Sequence, residues 1–179
     1  MSDSCPIRPR GSMGKQPRAE QSVMPFPVEP EYKICKKDKY IFRVPVNKGF
    51  YFDDSDMWIY VSGSSARVGV TDYLQKRLSD IMYFTPPKIG CVIDQTDNIG
   101  ELESGKVVKE IASPVSGLIT AVNEQIVFKP DLINRNPYEC GWIAEIELSD
   151  FESDKGVLYE FEEYFSILER KVDEYRVKD

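Results

Sequence analysis

A mainly β domain of antiparallel strands, with a short internal helix and a further helix at the carboxyl end, is the fold class this sequence predicts. Three observations carry that reading. Short segments rich in β-branched and aromatic residues, such as Tyr40 to Pro45 and Met57 to Val61, recur between clusters of Gly, Ser, Asp and Pro. Apolar residues fall at helical intervals in two stretches, Thr71 to Ile81 and Val157 to Arg176. The length of 179 residues, with 41% hydrophobic and 30% charged, suits one core of ordinary globular composition.

In chain order, residues 1–38 are expected to be a disordered, proline-rich tail, because Pro6, Pro9, Pro17, Pro25, Pro27 and Pro30 interrupt a polar stretch without sustained periodicity. Its first part is basic, through Arg8, Arg10, Lys15 and Arg18, yet it lacks the amphipathic face of a transit peptide. The domain itself is expected over residues 39–150. Tyr40 to Pro45 and Gly49 to Phe52 read as strands, and Asp53 to Asp56 as a turn before the strand Met57 to Val61. Ser62-Gly63-Ser64-Ser65 then turns the chain into Ala66 to Val70, which makes a β-hairpin. Thr71 caps a helix with Leu74, Leu78 and Ile81 on one face, and Asp72 in its first turn complements the helix dipole. Asp80 to Phe84 passes into strand until Pro86-Pro87 ends it. Ile99 to Glu103, Val107 to Ala112 and Leu118 to Val122 follow as strands, and Asn123 to Asn134 as a loop with a short helical turn. The alternation at Ile143, Glu145 and Glu147 is that of a half-buried strand. Residues 151–179 are expected to hold a C-terminal helix packed on the domain, its apolar stripe made by Leu158, Phe161, Phe165, Leu168, Val172 and Tyr175.

Charge and residue usage exclude several functions. A formal net charge of -7 argues against nucleic acid as a partner, since phosphate binding needs a basic face. No apolar run approaches a membrane span, so no membrane partner is expected; the cytoplasm is the default location, or the mitochondrial matrix in a eukaryote. The sequence has no histidine, which removes the usual general base and every Ser/His or Cys/His pairing, and speaks against an autonomous enzyme. Cys5, Cys35, Cys91 and Cys140 form no C-x-x-C pair, so neither a metal site nor a redox motif is signalled.

The chemistry concentrates between Gly100 and Gly117. Two strands flank Ser104-Gly105-Lys106; Gly105 is expected to supply a positive φ for the turn, with Lys106 at its exposed tip. Taken alone, this describes an ordinary solvated lysine, whose long stem and amine an enzyme can reach and acylate. With Glu103 and Ser104 before the lysine and Ser113-Pro114-Val115-Ser116-Gly117 after it, the stretch resembles the lipoyl attachment hairpin, where a lysine in an E-S-x-K turn carries lipoate. A biotin carrier usually sets its lysine between two methionines, where this chain has Gly105 and Val107.

Three further segments extend the resemblance. Arg67 to Ile81, R-V-G-V-T-D-Y-L-Q-K-R-L-S-D-I, is similar to the V-G-I-T-D-x-A-Q-x-x-L-G-D segment of the glycine cleavage system H protein family. Pro130-Asp131-Leu132-Ile133-Asn134 and Pro137-Tyr138-Glu139-Cys140-Gly141-Trp142 are similar to that family's P-x-L-I-N and P-Y-x-x-G-W signatures. The resemblance implies a lipoyl-domain-like barrel-sandwich hybrid and a carrier subunit rather than a catalyst. It implies lipoate attached at Lys106 by a lipoate ligase or lipoyl transferase, with Glu103, Ser104 and Gly105 forming the attachment hairpin. The partners it implies are a glycine decarboxylase, an aminomethyltransferase and a dihydrolipoyl dehydrogenase, served by a monomeric carrier of an aminomethyl group.

One departure lies before the first hairpin. The family usually has S-H-E-W there, its glutamate placed where the loaded amine is held; this chain has Ser55-Asp56-Met57-Trp58, and a thioether cannot pair with an ammonium. Ser55, Asp56, Met57 and Glu110 are therefore the cleft candidates, with Asp56 and Glu110 as substitutes for the missing carboxylate. Two alternatives stand beside the main reading: an H-like lipoate-binding protein of another pathway, such as sulfur oxidation, and an unlipoylated module that mediates protein contacts.

Overall fold

The structure, a computed structural model, describes residues 29–175. Its strands are β1 (Tyr32–Lys37), β2 (Tyr40–Pro45), β3 (Phe50–Phe52), β4 (Met57–Ser62), β5 (Ser65–Val70), β6 (Ile81–Thr85), β7 (Val92–Ile93), β8 (Asn98–Ser104), β9 (Val108–Ala112), β10 (Gly117–Val122) and β11 (Ala144–Leu148). The helices are α1 (Asp72–Leu78), α2 (Glu124–Phe128), α3 (Leu132–Arg135), α4 (Phe151–Asp154) and α5 (Phe161–Asp173). All strand pairings are antiparallel. They build a six-stranded sheet in the order β3-β4-β5-β11-β10-β7, a three-stranded sheet β6-β8-β9, and a separate ribbon β1-β2.

The two larger sheets enclose the main core. Met57, Ile59, Val68, Ile119 and Ile146 come from the first, Ile81, Phe84, Ile99, Leu102 and Ile111 from the second, and all are buried together. The mainly β class expected from the strand and turn pattern, and the barrel-sandwich form that the resemblance implies, are what these residues form. A second cluster lies on the other side of β4. There Phe42 and Val44 of the ribbon meet Phe50, Phe52, Trp58, Tyr73, Tyr138 and the Tyr164, Phe165, Leu168 and Val172 face of α5. Trp58 fits because its cross-strand partner is Gly69; a Cβ there would stand 2.7 Å from the indole ring. The indole Nε1 donates to the Pro137 carbonyl at 3.0 Å.

The disordered tail expected over residues 1–38 does not extend that far. Tyr32–Lys37 pairs residue for residue with β2, so the ordered chain begins ahead of Lys39; residues 1–28 lie outside the described residues. The lysines that make this strand look like tail spend their stems on α5: Lys33 Nζ sits 4.2 Å from the Phe165 ring centre, and Lys37 pairs with Asp173 at 2.9 Å. The ribbon is also fastened to α1. Fully buried Asp72 accepts from the Arg43 backbone N–H at 2.8 Å, Gln75 Nε2 at 2.7 Å and Lys76 Nζ at 2.8 Å.

The internal helix is capped by Thr71, whose Oγ1 accepts from the Leu74 N–H at 3.3 Å, and it ends at Ser79, where φ is +65°. Ile81, expected on the helix face, therefore opens β6 instead. The loop expected over Asn123 to Asn134 holds two short helices, α2 and α3. The expected C-terminal helix is also divided. Tyr159 exchanges backbone hydrogen bonds with Phe52, at 2.8 and 2.9 Å, so the chain is extended between the 3-10 turn at Lys155–Val157 and the start of α5 at Phe161. Leu158 consequently joins the main core, not the α5 stripe.

Candidate functional site

The β8–β9 hairpin presents Lys106. Glu103 pairs with Val108, leaving Ser104, Gly105, Lys106 and Val107 as the loop. The Ser104 N–H donates to the Val107 carbonyl at 2.9 Å, and its buried hydroxyl oxygen accepts from the N–H groups of Lys106 (3.3 Å) and Val107 (3.4 Å). That serine closes the loop on itself, the usual use of a hydroxyl in a tight turn. The expected positive φ at Gly105 is not found: its backbone lies outside the left-handed region, because the Ser104 side chain and the four-residue loop make the reversal without it. A Cβ on Gly105 would meet nothing within 4 Å. The glycine gives the tip a bare approach.

Lys106 is exposed and makes no ion pair among the described residues. Below it, Tyr83, Glu103 and Val108 lie side by side across β6, β8 and β9, and all three are exposed. Glu110 is exposed too and stands directly opposite Glu101 on β8.

The four cleft candidates divide into two places. Ser55, Met57 and Glu110 border one pocket together with Leu74, Lys109, Ile111 and Ala112, but its volume is about 20 Å³ and Met57 is 1% exposed. That is room for about one water. Asp56 points the other way: it closes the turn ahead of β4 with φ at +62°, a left-handed conformation outside the strand's alternation. Its Oδ1 accepts from Lys171 Nζ at 2.8 Å and the Tyr164 hydroxyl at 3.0 Å, which anchors α5. The turn between these residues is held by Asp53, whose Oδ1 accepts from the N–H groups of Ser55 (2.9 Å) and Met57 (2.8 Å). Burial pushes the Asp53 carboxyl up to about 6, although those two N–H groups favour its charged form.

A larger cleft of about 810 Å³ opens on the other side of the hairpin, between α1, the β3–β4 turn and the end of α5. Lys106 lines it with Asp54, Asp56, Tyr73, Arg77, Lys171, Glu174 and Tyr175 among others. The sequence carried a signal for only part of it. Tyr175 falls on the α5 stripe, while nothing in the local pattern brings Asp54, Arg77 and Glu174 together. Among the described residues no cluster of His, Cys, Asp and Glu could hold a metal, and Cys35, Cys91 and Cys140 are free thiols. Burial raises the Cys35 thiol pKa.

Known proteins share this arrangement. The glycine cleavage H-protein family model matches residues 50–171, which takes in both larger sheets and most of α5 but not the β1–β2 ribbon. The mitochondrial glycine cleavage system H protein 2 of Arabidopsis thaliana is 40% identical over 109 residues, 61% of this chain and 70% of that one. The H protein of Methylacidiphilum infernorum is 40% identical over 120 residues, 67% of this chain and 93% of its own. A crystal structure of the H protein from Mycobacterium marinum superposes with a TM-score of 0.60 at 25% identity, covering 69% of this chain and 98% of that one. With the lysine hairpin, the capped helix after Val70 and the Pro137 to Trp142 segment all inside the matched span, the chain belongs to the glycine cleavage H-protein family.

Proposed function

We propose that Lys106 is the lysine of this chain that carries lipoate, and that the loaded hairpin shuttles an aminomethyl group between glycine decarboxylase and the aminomethyltransferase. Members of the family are carrier subunits, not catalysts, with lipoate held covalently on a lysine and with the P, T and L proteins of glycine cleavage as co-workers. The observation that carries the assignment to Lys106 is its place at a bare, exposed tip whose backbone is fixed by Ser104.

The residues fit that group. An acylating enzyme must reach the amine without unfolding the loop, and Gly105 leaves the approach open while Ser104 keeps the tip from collapsing. Tyr83, Glu103 and Val108 offer the attaching enzyme, a lipoate ligase or lipoyl transferase, a mixed apolar and acidic footing beside the lysine. The lipoyl group supplies a dithiolane whose sulfur bears the cargo and exchanges electrons with a dihydrolipoyl dehydrogenase. The protein's part is presentation: it has no histidine with which to move a proton. We take the working form to be a monomer, since Lys106 and the serine that fixes its loop are complete within a single hairpin. The mitochondrial relative from Arabidopsis and the bacterial ones support a cytoplasmic or matrix location.

Co-expression with a lipoate ligase and lipoate, followed by peptide mass mapping, tests the assignment. A lipoyl increment on Lys106 and on no other lysine is expected, and its loss in Lys106→Arg. An increment on another lysine, or none, refutes it.

A further inference from the structure

The β1–β2 ribbon is covered along one edge and open along the other. On the β2 side the Ile41 carbonyl accepts from Lys76 Nζ at 2.6 Å, the Arg43 N–H donates to Asp72 at 2.8 Å, and the Arg43 carbonyl accepts from the Tyr138 hydroxyl at 2.7 Å. Ile41 and Arg43 are thus the outward-directed positions of β2. Antiparallel alternation makes their cross-strand partners, Lys36 and Ile34, the outward-directed positions of β1. Among the described residues no group hydrogen-bonds to the backbone of Ile34 or Lys36. We infer that this edge of β1 is a docking site for an extended segment of a partner protein in which apolar and acidic residues alternate, added to the ribbon as a third strand. The site does not depend on Lys106.

A groove of about 440 Å³ runs between β1 and α5. Lys33, Ile34, Cys35 and Lys36 all line it, and since one face of a strand offers only alternate residues, four in succession place the groove at the edge itself. Phe165, Glu169, Val172 and Asp173 form its far wall. A strand laid there turns one set of side chains inward, towards buried Cys35, Phe165 and Val172, and the other outward, beside Ile34 and Lys36. The inward set is apolar, because its floor is carbon and sulfur and because Glu169, exposed on α5 without an ion pair among the described residues, repels a carboxylate. The outward set is acidic. Lys33 and Lys36 form no ion pair among the described residues, while Asp173 is already held by Lys37 at 2.9 Å. Lysines often do no more than guard a free edge. Guarding alone leaves unexplained the two isoleucines on the outer face of the ribbon, Ile34 at 56% and Ile41 at 44% exposed, and the groove beside them. A second copy of this chain fits poorly, because joining two β1 edges about a two-fold axis sets Lys33, Lys36 and Lys37 against the same three lysines.

The test uses the full-length chain at neutral pH and two end-blocked, fluorescently labelled peptides, Val-Glu-Val-Glu-Val-Glu-Val and Val-Lys-Val-Lys-Val-Lys-Val. Binding is followed by anisotropy and by amide hydrogen exchange. The acidic peptide is expected to bind and to slow exchange at Ile34 and Lys36 while leaving Arg43 unchanged; the basic peptide is expected not to bind. Ile34→Pro removes the outward N–H without touching the ladder to β2 and is expected to abolish binding. Retained exchange protection at Phe42 shows that the ribbon of that variant is still folded. Lys36→Glu keeps every backbone donor and is expected to weaken binding about two- to fivefold, the range for exposed ion pairs. No binding of the acidic peptide, equal binding of both peptides, protection away from β1, or unchanged affinity in Lys36→Glu overturns the inference. A dimer of the free chain in sedimentation, dissolved by Ile34→Pro, overturns it in favour of a second copy.

Discussion

Asp53 sets a pH dependence through one side chain. Burial raises its carboxyl from an ordinary 3.8 to about 6, so the folded chain binds that proton more tightly than the unfolded chain does. Its contribution to stability is greatest below the unfolded value and declines as pH rises from 3.8 through about 6. Asp53→Asn keeps an oxygen to accept from Ser55 and Met57 but cannot ionise. Urea unfolding between roughly pH 4 and pH 7 should therefore show a flatter profile in the variant than in the parent. Gly105 yields a second expectation. Its backbone angle is open to any residue and its surroundings are empty, so Gly105→Ala should move the unfolding free energy by less than about 0.5 kcal/mol, read from the same urea curves. The lysine and its serine could be read from the sequence because a turn is local. The reversal made without a positive φ could not, since it depends on a hydroxyl becoming buried under its own loop.

The β1–β2 ribbon lies ahead of the family match, which begins at residue 50. Phe42 is fully buried against Tyr73 and Tyr175, with ring centres 5.5 and 5.2 Å away. Phe42→Ala should cost about 3–5 kcal/mol, measurable as a lower urea midpoint; a change near zero would mean that the ribbon only rests on the surface. Asp72 makes a complementary case. Its carboxylate joins the ribbon backbone to α1, and removing it leaves the Arg43 N–H and the Gln75 amide without their acceptor, so Asp72→Ala should be destabilising by about 3–5 kcal/mol in the same assay. Strands with an apolar face, such as β2, β4 and β5, could be assigned from their residues within a position or so. β1 could not, because lysines at Lys33 and Lys37 look solvated until α5 supplies rings and a carboxylate for them. The break at Tyr159 was hidden for a similar reason: its partner is Phe52, far back in the chain.

For the molecule as a whole, β4 ties the two cores together. Met57 and Ile59 face the main core while Trp58, between them, faces the aromatic cluster, so neither cluster can loosen without disturbing the strand of the other. Unfolding followed by indole fluorescence and by far-ultraviolet circular dichroism should give coincident transitions. Two separated midpoints would show that the clusters melt apart. The ribbon also has a consequence for how the chain is made. Lys37 meets Asp173, 136 positions later, and Phe42 finds its aromatic cover in Tyr175. During synthesis the first aromatic strands leave the ribosome long before the helix that shelters them. At about 5–20 residues per second that interval lasts roughly 7 to 27 s, a window in which nascent chains exposing Phe42 and Phe50 are candidates for chaperone capture.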